Sequence, residues 1–441
     1  MYFPVLSTLT TLSLLSLTSA RSLPRAPNSK ISVRSAVPSR PRSIPAVTDN
    51  VLELNKKSTG GSKVRSAAKF LKNLDIVNGS SSALVSLFEG EEFATEITFG
   101  TQTFEVIVDT GSSDTWLAET GFSCVDLDTG KSASASTCGF GPTYTKDSTF
   151  KAISGEEFSI TYGDGEYLTG VLGSQPVTFA GINVTTTVAL VTSAAWEGDG
   201  TTSGLVGMAY PGITSAYKGS TQVPYNPIFT TMYEEGLVDS LFSLVIERDV
   251  SGPAGYLALG GVPPVDFVQD FTSTPILVTS ISEYPKAYDF YTIKIQAAYL
   301  NGKAISGAST PTYIVDSGTT LNYFPTKIAN AINKAFVPAA VYSSDQGAYV
   351  VSCTAVPPVF SIEIGGTVFY TNPLDMILYA GTDDDGNDVC ISGIDDGGSD
   401  TADDLFILGD TFQKNVVTVF DIGAGVLQFA ARENYTSNDT Y

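Results

Sequence analysis

From about residue 84 the chain alternates apolar and polar positions in short runs bounded by turn residues. Phe93 to Val108 alternates and then closes in the continuous apolar run Val106-Ile107-Val108. That pattern predicts strands, the last of them buried on both faces. Similar short runs recur to the end of the chain, separated by turn clusters such as Gly163-Asp164-Gly165 and Asn301-Gly302. Helical spacing is confined to Ile228–Gly236 and Lys327–Phe336, and, further upstream, to a face made by Val64, Ala67, Ala68, Leu71 and Leu74. The fold class that follows is all-β dominated.

The chain start has a different pattern. Val5 to Leu17 is apolar and hydroxyl-rich, and Thr18-Ser19-Ala20 offers small residues before a cut after Ala20. Residues 1–20 therefore read as a secretory signal peptide. Residues 21–80 follow as a basic propeptide. Arg21 to Pro45 holds too few apolar residues to bury and is expected to be flexible. Lys63, Arg65, Lys69 and Lys72 ride with the helical face behind it, and Lys56-Lys57 offers a dibasic processing site. No later segment is long and apolar enough to span a membrane, and the tail from Ala431 is polar.

An internal repeat organises the rest. Val106-Ile107-Val108-Asp109-Thr110-Gly111-Ser112-Ser113 is echoed by Tyr313-Ile314-Val315-Asp316-Ser317-Gly318-Thr319-Thr320. Gly204-Leu205-Val206-Gly207 follows the first copy and Ile407-Leu408-Gly409 the second; Phe93 to Gly100 and Phe290 to Ala297 precede them as comparable strands. Two units of one plan, each with an Asp on a tight loop, imply a pseudo-twofold molecule whose two Asp residues meet at the axis.

Composition narrows the chemistry. The 441 residues suffice for two sizeable cores. Asp plus Glu number 46 against 24 Lys plus Arg, a formal net charge of −22. Half of the basic residues fall in positions 1–75, beside only Asp49, Glu53 and Asp75, so the body is more acidic still. Such a body repels nucleic acid and anionic membranes, and low pH relieves its self-repulsion. There is no histidine. The usual base of serine and cysteine hydrolases and the commonest zinc ligand are therefore missing, and no metal or other cofactor is expected. Asp383-Asp384-Asp385-Gly386-Asn387-Asp388 lacks the ligand alternation and terminal Glu of a calcium loop and reads as a solvated acidic turn.

Carboxylates can still do the work. Two Asp side chains in contact cannot both ionise, so they share one proton and titrate as a unit. The ionised member can draw a proton from a water held between them, and the protonated member can polarise a peptide carbonyl. Hydroxyls three positions after each Asp, at Ser112 and Thr319, are placed to hold the carboxylate rotamers.

The paired motifs, the repeat, the acidic body and the basic leader together resemble the pepsin-like aspartic protease family, in particular its secreted, fungal-type endopeptidases. The likeness runs from about residue 84 to 430 and includes Phe420-Asp421-Ile422-Gly423 and Leu427-Gln428-Phe429-Ala430, similar to the family's closing strands. It implies a bilobal fold with a substrate cleft, an N-terminal catalytic lobe at 81–265 and a C-terminal one at 266–441. Asp109 and Asp316 would be the dyad. Thr110 and Ser317 would brace the two loops by crossed hydrogen bonds, Ser112 and Thr319 would hold the outer carboxylate oxygens, and Gly111 and Gly318 would meet the substrate backbone. The hairpin Tyr162-Gly163-Asp164-Gly165 would be the flap, with Trp116 positioning the Tyr162 phenol. Glu166 departs from the small hydroxyl residue often found there. Tyr162, Trp196 and Leu205 would favour bulky hydrophobic residues at the scissile bond, and Asp164 would accommodate a Lys. The implied partners are protein and peptide substrates and the chain's own propeptide as inhibitor, with no nucleic acid or membrane and a monomeric body.

Four cysteines and four sequons fit an extracellular setting. Among three possible connectivities, sequence proximity favours Cys124–Cys138 and Cys353–Cys390. Asn78, Asn183, Asn434 and Asn438 are candidate glycosylation sites. A catalytically inactive relative that binds peptides in its cleft is the main rival; its usual signature, loss of one Asp, is absent. A structural or adhesive secreted protein would explain the acidity but not the duplicated Asp motif.

Overall fold

The computed structural model describes residues 44–58 and 91–432, save 164, 249–252, 269, 279–287, 307–310, 345, 384–385 and 400–405. Residues 1–43, the helical face at 64–74, Asp164 and the sequons at Asn78, Asn434 and Asn438 lie outside the described residues. Asn183 is exposed, and its Oδ1 accepts a hydrogen bond from the Thr178 hydroxyl at 2.6 Å.

Strand dominates the architecture. The apolar run at 93–108 is a hairpin of two strands, β2 (Glu91–Phe99) and β3 (Gln102–Asp109), with Ile97 opposite Phe104. Gly100 makes the reversal at φ 60°, a left-handed value that glycine adopts without strain. β3 ends in consecutive buried residues because it is paired on both edges, antiparallel to β2 and parallel to the strand Gly204–Gly207. A strand enclosed in this way reads as a continuous apolar run rather than an alternating one.

Among the described residues one 16-stranded sheet passes from lobe to lobe. It passes from the hairpin at 216–222 through Lys151–Thr161, Tyr167–Phe179 and Ile182–Ala195 to β4 (Thr115–Val125), then Gly204–Gly207, β3 and β2. β1 (Val51–Ser58) comes next and joins the two halves of the sheet. Its first half pairs with Gly255–Leu259 and its second half with β2. Beyond lie Leu241–Ile246, Val416–Asp421, Val426–Ala431 and Thr272–Pro275. Sheets of five, four and four strands complete the second lobe.

The two lobes repeat one local design. β3 runs parallel to Gly204–Gly207, which is antiparallel to β4. In the second lobe Thr312–Val315 runs parallel to Ile407–Leu408, which is antiparallel to Asn322–Phe324. Each Asp thus leaves a central strand, loops over, and returns beside a third strand. Helices among the described residues are short: Ile228–Glu234, Thr326–Lys334 and the single turn Asp410–Gln413. None is long and apolar enough to cross a membrane. The disulfides are Cys124–Cys138 and Cys353–Cys390.

Candidate active site

The two Asp loops meet back to back. The Ser317 amide donates to the Thr110 hydroxyl at 2.9 Å, and the Thr110 amide donates to the Ser317 hydroxyl at 3.2 Å. Each hydroxyl also donates across the axis, Thr110 to the Val315 carbonyl at 3.2 Å and Ser317 to the Val108 carbonyl at 3.0 Å. Four bonds therefore tie each loop to the strand that feeds the other. All four groups are buried, so each bond left unmade would strand a desolvated partner.

The carboxylates are held in the same way in both copies. The Gly111 amide donates to Asp109 Oδ1 at 2.7 Å and the Gly318 amide to Asp316 Oδ1 at 2.9 Å. The Ser112 hydroxyl donates to Asp109 Oδ2, and the Thr319 hydroxyl to Asp316 Oδ2 at 2.7 Å. The two carboxyls are hydrogen-bonded to each other, and both residues have no exposed surface. Burial and the facing Asp109 carboxyl hold Asp316 well above the usual carboxylate range, against the opposing pull of Thr319 and the Gly318 amide. One proton on the pair is the electrostatic consequence.

Small residues let the loops approach. A Cβ on Gly111 would stand 2.5 Å from the Asp316 carboxylate. Gly207 lies under the first loop, where a Cβ would meet Ser113 at 2.5 Å. Gly409 lies under the second, 2.3 Å from the Thr319 and Leu321 carbonyls by the same measure. The downstream glycine echoes are thus the floors of the two Asp loops.

Tyr162 stands at the turn between Lys151–Thr161 and Tyr167–Phe179. Its phenol accepts a hydrogen bond from Trp116 Nε1 at 2.8 Å. Burial first, and then the nearby Asp109 charge, keep that phenol protonated. Gly163 continues the turn. Trp196 meets Trp116 and Tyr162 edge-on at 5.3 and 5.7 Å and stacks on Phe140 at 6.0 Å. Neither Trp196 nor Leu205 offers open surface here: the first is 2 % exposed behind Tyr162, the second fully enclosed between β3 and β4.

Three acidic groups near this centre are buried, which the sequence does not signal even for Glu166, noted there only as a departure past the turn. Asp114 accepts from the Tyr225 hydroxyl at 2.5 Å and from the Ser215 amide at 3.0 Å, and burial pushes its pKa up to about 6. Asp410 is fully buried at the foot of the second loop, where its amide donates to the Thr319 carbonyl at 2.9 Å, and burial raises it well above the usual range. Glu166 is 1 % exposed, and its Oε1 accepts the Glu197 amide at 2.6 Å. Among the described residues no group of Cys, Asp and Glu is arranged to hold a metal ion.

Three comparisons bear on this geometry. A family model described as eukaryotic aspartyl protease matches residues 92–432. A probable aspartic-type endopeptidase of Aspergillus fumigatus is 48% identical over 412 residues, covering 92% of this chain and 93% of its own. Pepsin II-1 of Oryctolagus cuniculus is 30% identical over 373 residues, covering 80% and 84%. In fold, the crystal structure of an aspartic proteinase from Irpex lacteus superposes with a TM-score of 0.62 at 21% identity, over 79% of this chain and 96% of that one.

Proposed function

The chain belongs to the eukaryotic aspartyl protease family, whose members are aspartic endopeptidases, and from that premise we propose that Asp109 and Asp316 are its catalytic dyad. The observation that carries the assignment is the pair of buried, mutually hydrogen-bonded carboxyls on symmetric loops. Asp316 holds the shared proton at rest and donates to the scissile carbonyl. Asp109, ionised, takes a proton from the attacking water. The water adds directly to the carbonyl, and the resulting diol collapses as Asp109 passes the proton it took to the leaving nitrogen and a diol hydroxyl returns its proton to Asp316. Thr110, Ser317, Ser112 and Thr319 keep both carboxyls oriented throughout, while Gly111 and Gly318 leave room for the substrate backbone.

The same reading makes the protein a secreted, acid-active enzyme. Residues 1–20 are its signal peptide and 21–80 its propeptide, and the lobes at 81–265 and 266–441 enclose the cleft. It acts as a monomer on unfolded protein chains and prefers bulky hydrophobic residues at the cut. Tyr162 and Gly163 belong to the flap that closes on substrate. The acidic composition supports action at low pH.

The test is cleavage of acid-denatured haemoglobin at pH 3–4 by acid-treated protein. Pepstatin should block it, and Asp109→Asn should abolish it. Cleavage that survives either the inhibitor or the substitution would remove the dyad from its role.

A further inference from the structure

The buried carboxylate of Glu166 takes no part in the dyad chemistry, yet it sits at the base of the hairpin turn. The turn closes with two backbone bonds: the Tyr162 amide donates to the Glu166 carbonyl at 2.8 Å, and the Gly165 amide to the Tyr162 carbonyl at 3.1 Å. Past the turn, Tyr167–Phe179 pairs with Ile182–Ala195, the ladder ending at Tyr167 opposite Ala195. Glu166 and Trp196 are the next residues on the two strands, where no backbone ladder continues. There the Glu166 side chain takes over, and its Oε1 accepts the Glu197 amide at 2.6 Å.

That bond has two neighbours of consequence. Trp196 is held between the last ladder pair and the fastened Glu197 amide. Its indole is one wall against Tyr162, at 5.7 Å, and against Trp116, at 5.3 Å. Glu166 thus reaches Tyr162 by two routes, through the main chain of the turn and through the indole that the phenol ring leans on.

We propose that Glu166 is a flap-positioning residue, whose side-chain oxygen fastens the Tyr162 turn to the Trp196–Glu197 backbone and so presets Tyr162 for substrate. The proposal rests on the reading of Asp109 and Asp316 as the dyad and of the Tyr162 turn as its flap. The role requires an acceptor of the right length and no charge: glutamine can supply it, alanine and aspartate cannot. Its loss loosens the flap before substrate arrives, so substrate binding suffers more than the chemical step.

The chain supplies its own reporter, because its two tryptophans, Trp116 and Trp196, both stand in this cluster. Glu166→Ala, Glu166→Asp and Glu166→Gln are compared with the unaltered enzyme on one peptide substrate, with active sites counted by pepstatin titration. For Ala and Asp, KM and the pepstatin dissociation constant should rise, lowering kcat/KM roughly 10- to 100-fold, as expected when a buried amide loses its acceptor. kcat per active site should change less, and the tryptophan emission should shift to the red. Gln should restore KM, pepstatin affinity and emission to near the unaltered values. Wild-type KM and emission in the Ala or Asp variant would overturn the proposal, as would a Gln variant as impaired as Ala. A purely structural lesion would lower the count of active sites and leave KM where it was. If the Ala variant does not fold, the Asp–Gln contrast decides alone. If the unaltered enzyme showed no pepstatin-sensitive cleavage, the dyad reading would fail, while the emission contrast would still report on the Glu166 contact.

Discussion

At the scale of single residues, the Thr319 hydroxyl makes a pointed test of the dyad. It bonds the ionised form of Asp316 and therefore lowers a pKa that burial and Asp109 raise. Thr319→Val should lift Asp316 further, so the dyad would keep its shared proton to higher pH. The alkaline limb of the kcat/KM profile should then move upward, and a limb that stays or falls would contradict the assignment of that proton to Asp316. Asp109 and Asp316 were legible in the sequence because each stands in a repeated run, and Gly207 and Gly409 because both must admit the backbone of an Asp loop at 2.3–2.5 Å from any Cβ. Asp114 and Asp410 were not, because their burial and partners come from segments distant in sequence; the Tyr225 hydroxyl, for example, is 111 residues from Asp114. Gly409→Ala forces a methyl against the Thr319 and Leu321 carbonyls. Its expected signature is a lowered melting temperature together with at least about a tenfold loss of activity, because the displaced loop carries Asp316. Calorimetry and assay of the same preparation check both parts.

Among the elements, the legible ones were strands and helices whose pattern is internal. The helices at 228–234 and 326–334 fall within two residues of their sequence bounds, and β3 announces itself by its apolar run. β1 was silent. Its Val-Leu-Glu-Leu-Asn-Lys-Lys-Ser is short and ends polar, and what makes it a strand is pairing with Gly255–Leu259, some two hundred residues away. That placement changes the expected fate of the segment. Lys56 and Lys57 are not an open processing site: Lys56 Nζ lies 3.3 Å from Glu91 Oε1, Lys57 Nζ lies 2.6 Å from Glu105 Oε2, and both are within a paired strand. Glu91 is also bonded by Lys414, and although burial opposes it, these two lysines lower its pKa to about 2. A depressed carboxylate contributes its full stability above its unfolded pKa and loses it progressively as pH falls from there through the folded value. The group itself stays ionised in the folded chain until that lower value is reached. The Glu91 clasp is accordingly intact at pH 3–4, where the rest of the leader is expected to be released. Acid activation should therefore leave a peptide containing residues 51–58 associated with the body. Native size-exclusion at pH 3.5 should keep the two together, and denaturant should separate them. An active enzyme whose total mass lacks these residues would refute this.

For the molecule as a whole, the pseudo-twofold plan was legible because it is written twice, whereas the sheet that passes from lobe to lobe through β1 was not. The same whole-molecule view sets how stability should vary with pH. Burial lifts Asp114 to about 6 and Asp395 to about 8, and it also raises Asp316 and Asp410. A raised carboxyl binds its proton more tightly in the folded state, so its contribution is complete below the unfolded pKa near 4. It is lost as pH rises through the folded value. Glu91 acts in the opposite direction, but only below about pH 4. The two tendencies place maximal stability near pH 4 and a steady decline towards pH 8, reinforced by mutual repulsion in a chain of net charge −22. Asp114 alone corresponds to about 3 kcal/mol at 1.36 kcal/mol per pKa unit, which for a chain of this size is a fall in melting temperature on the order of 5 °C. Scanning calorimetry on the Asp109→Asn variant, which removes self-digestion, should show that decline between pH 4 and pH 8 at constant ionic strength. Asp114→Asn and Asp395→Asn, made in that background, should each flatten it, because an amide keeps the neutral form at every pH. A melting temperature that holds level or rises towards neutrality would mean that these buried acids ionise in the folded state at no cost, contrary to the environment in which the fold places them.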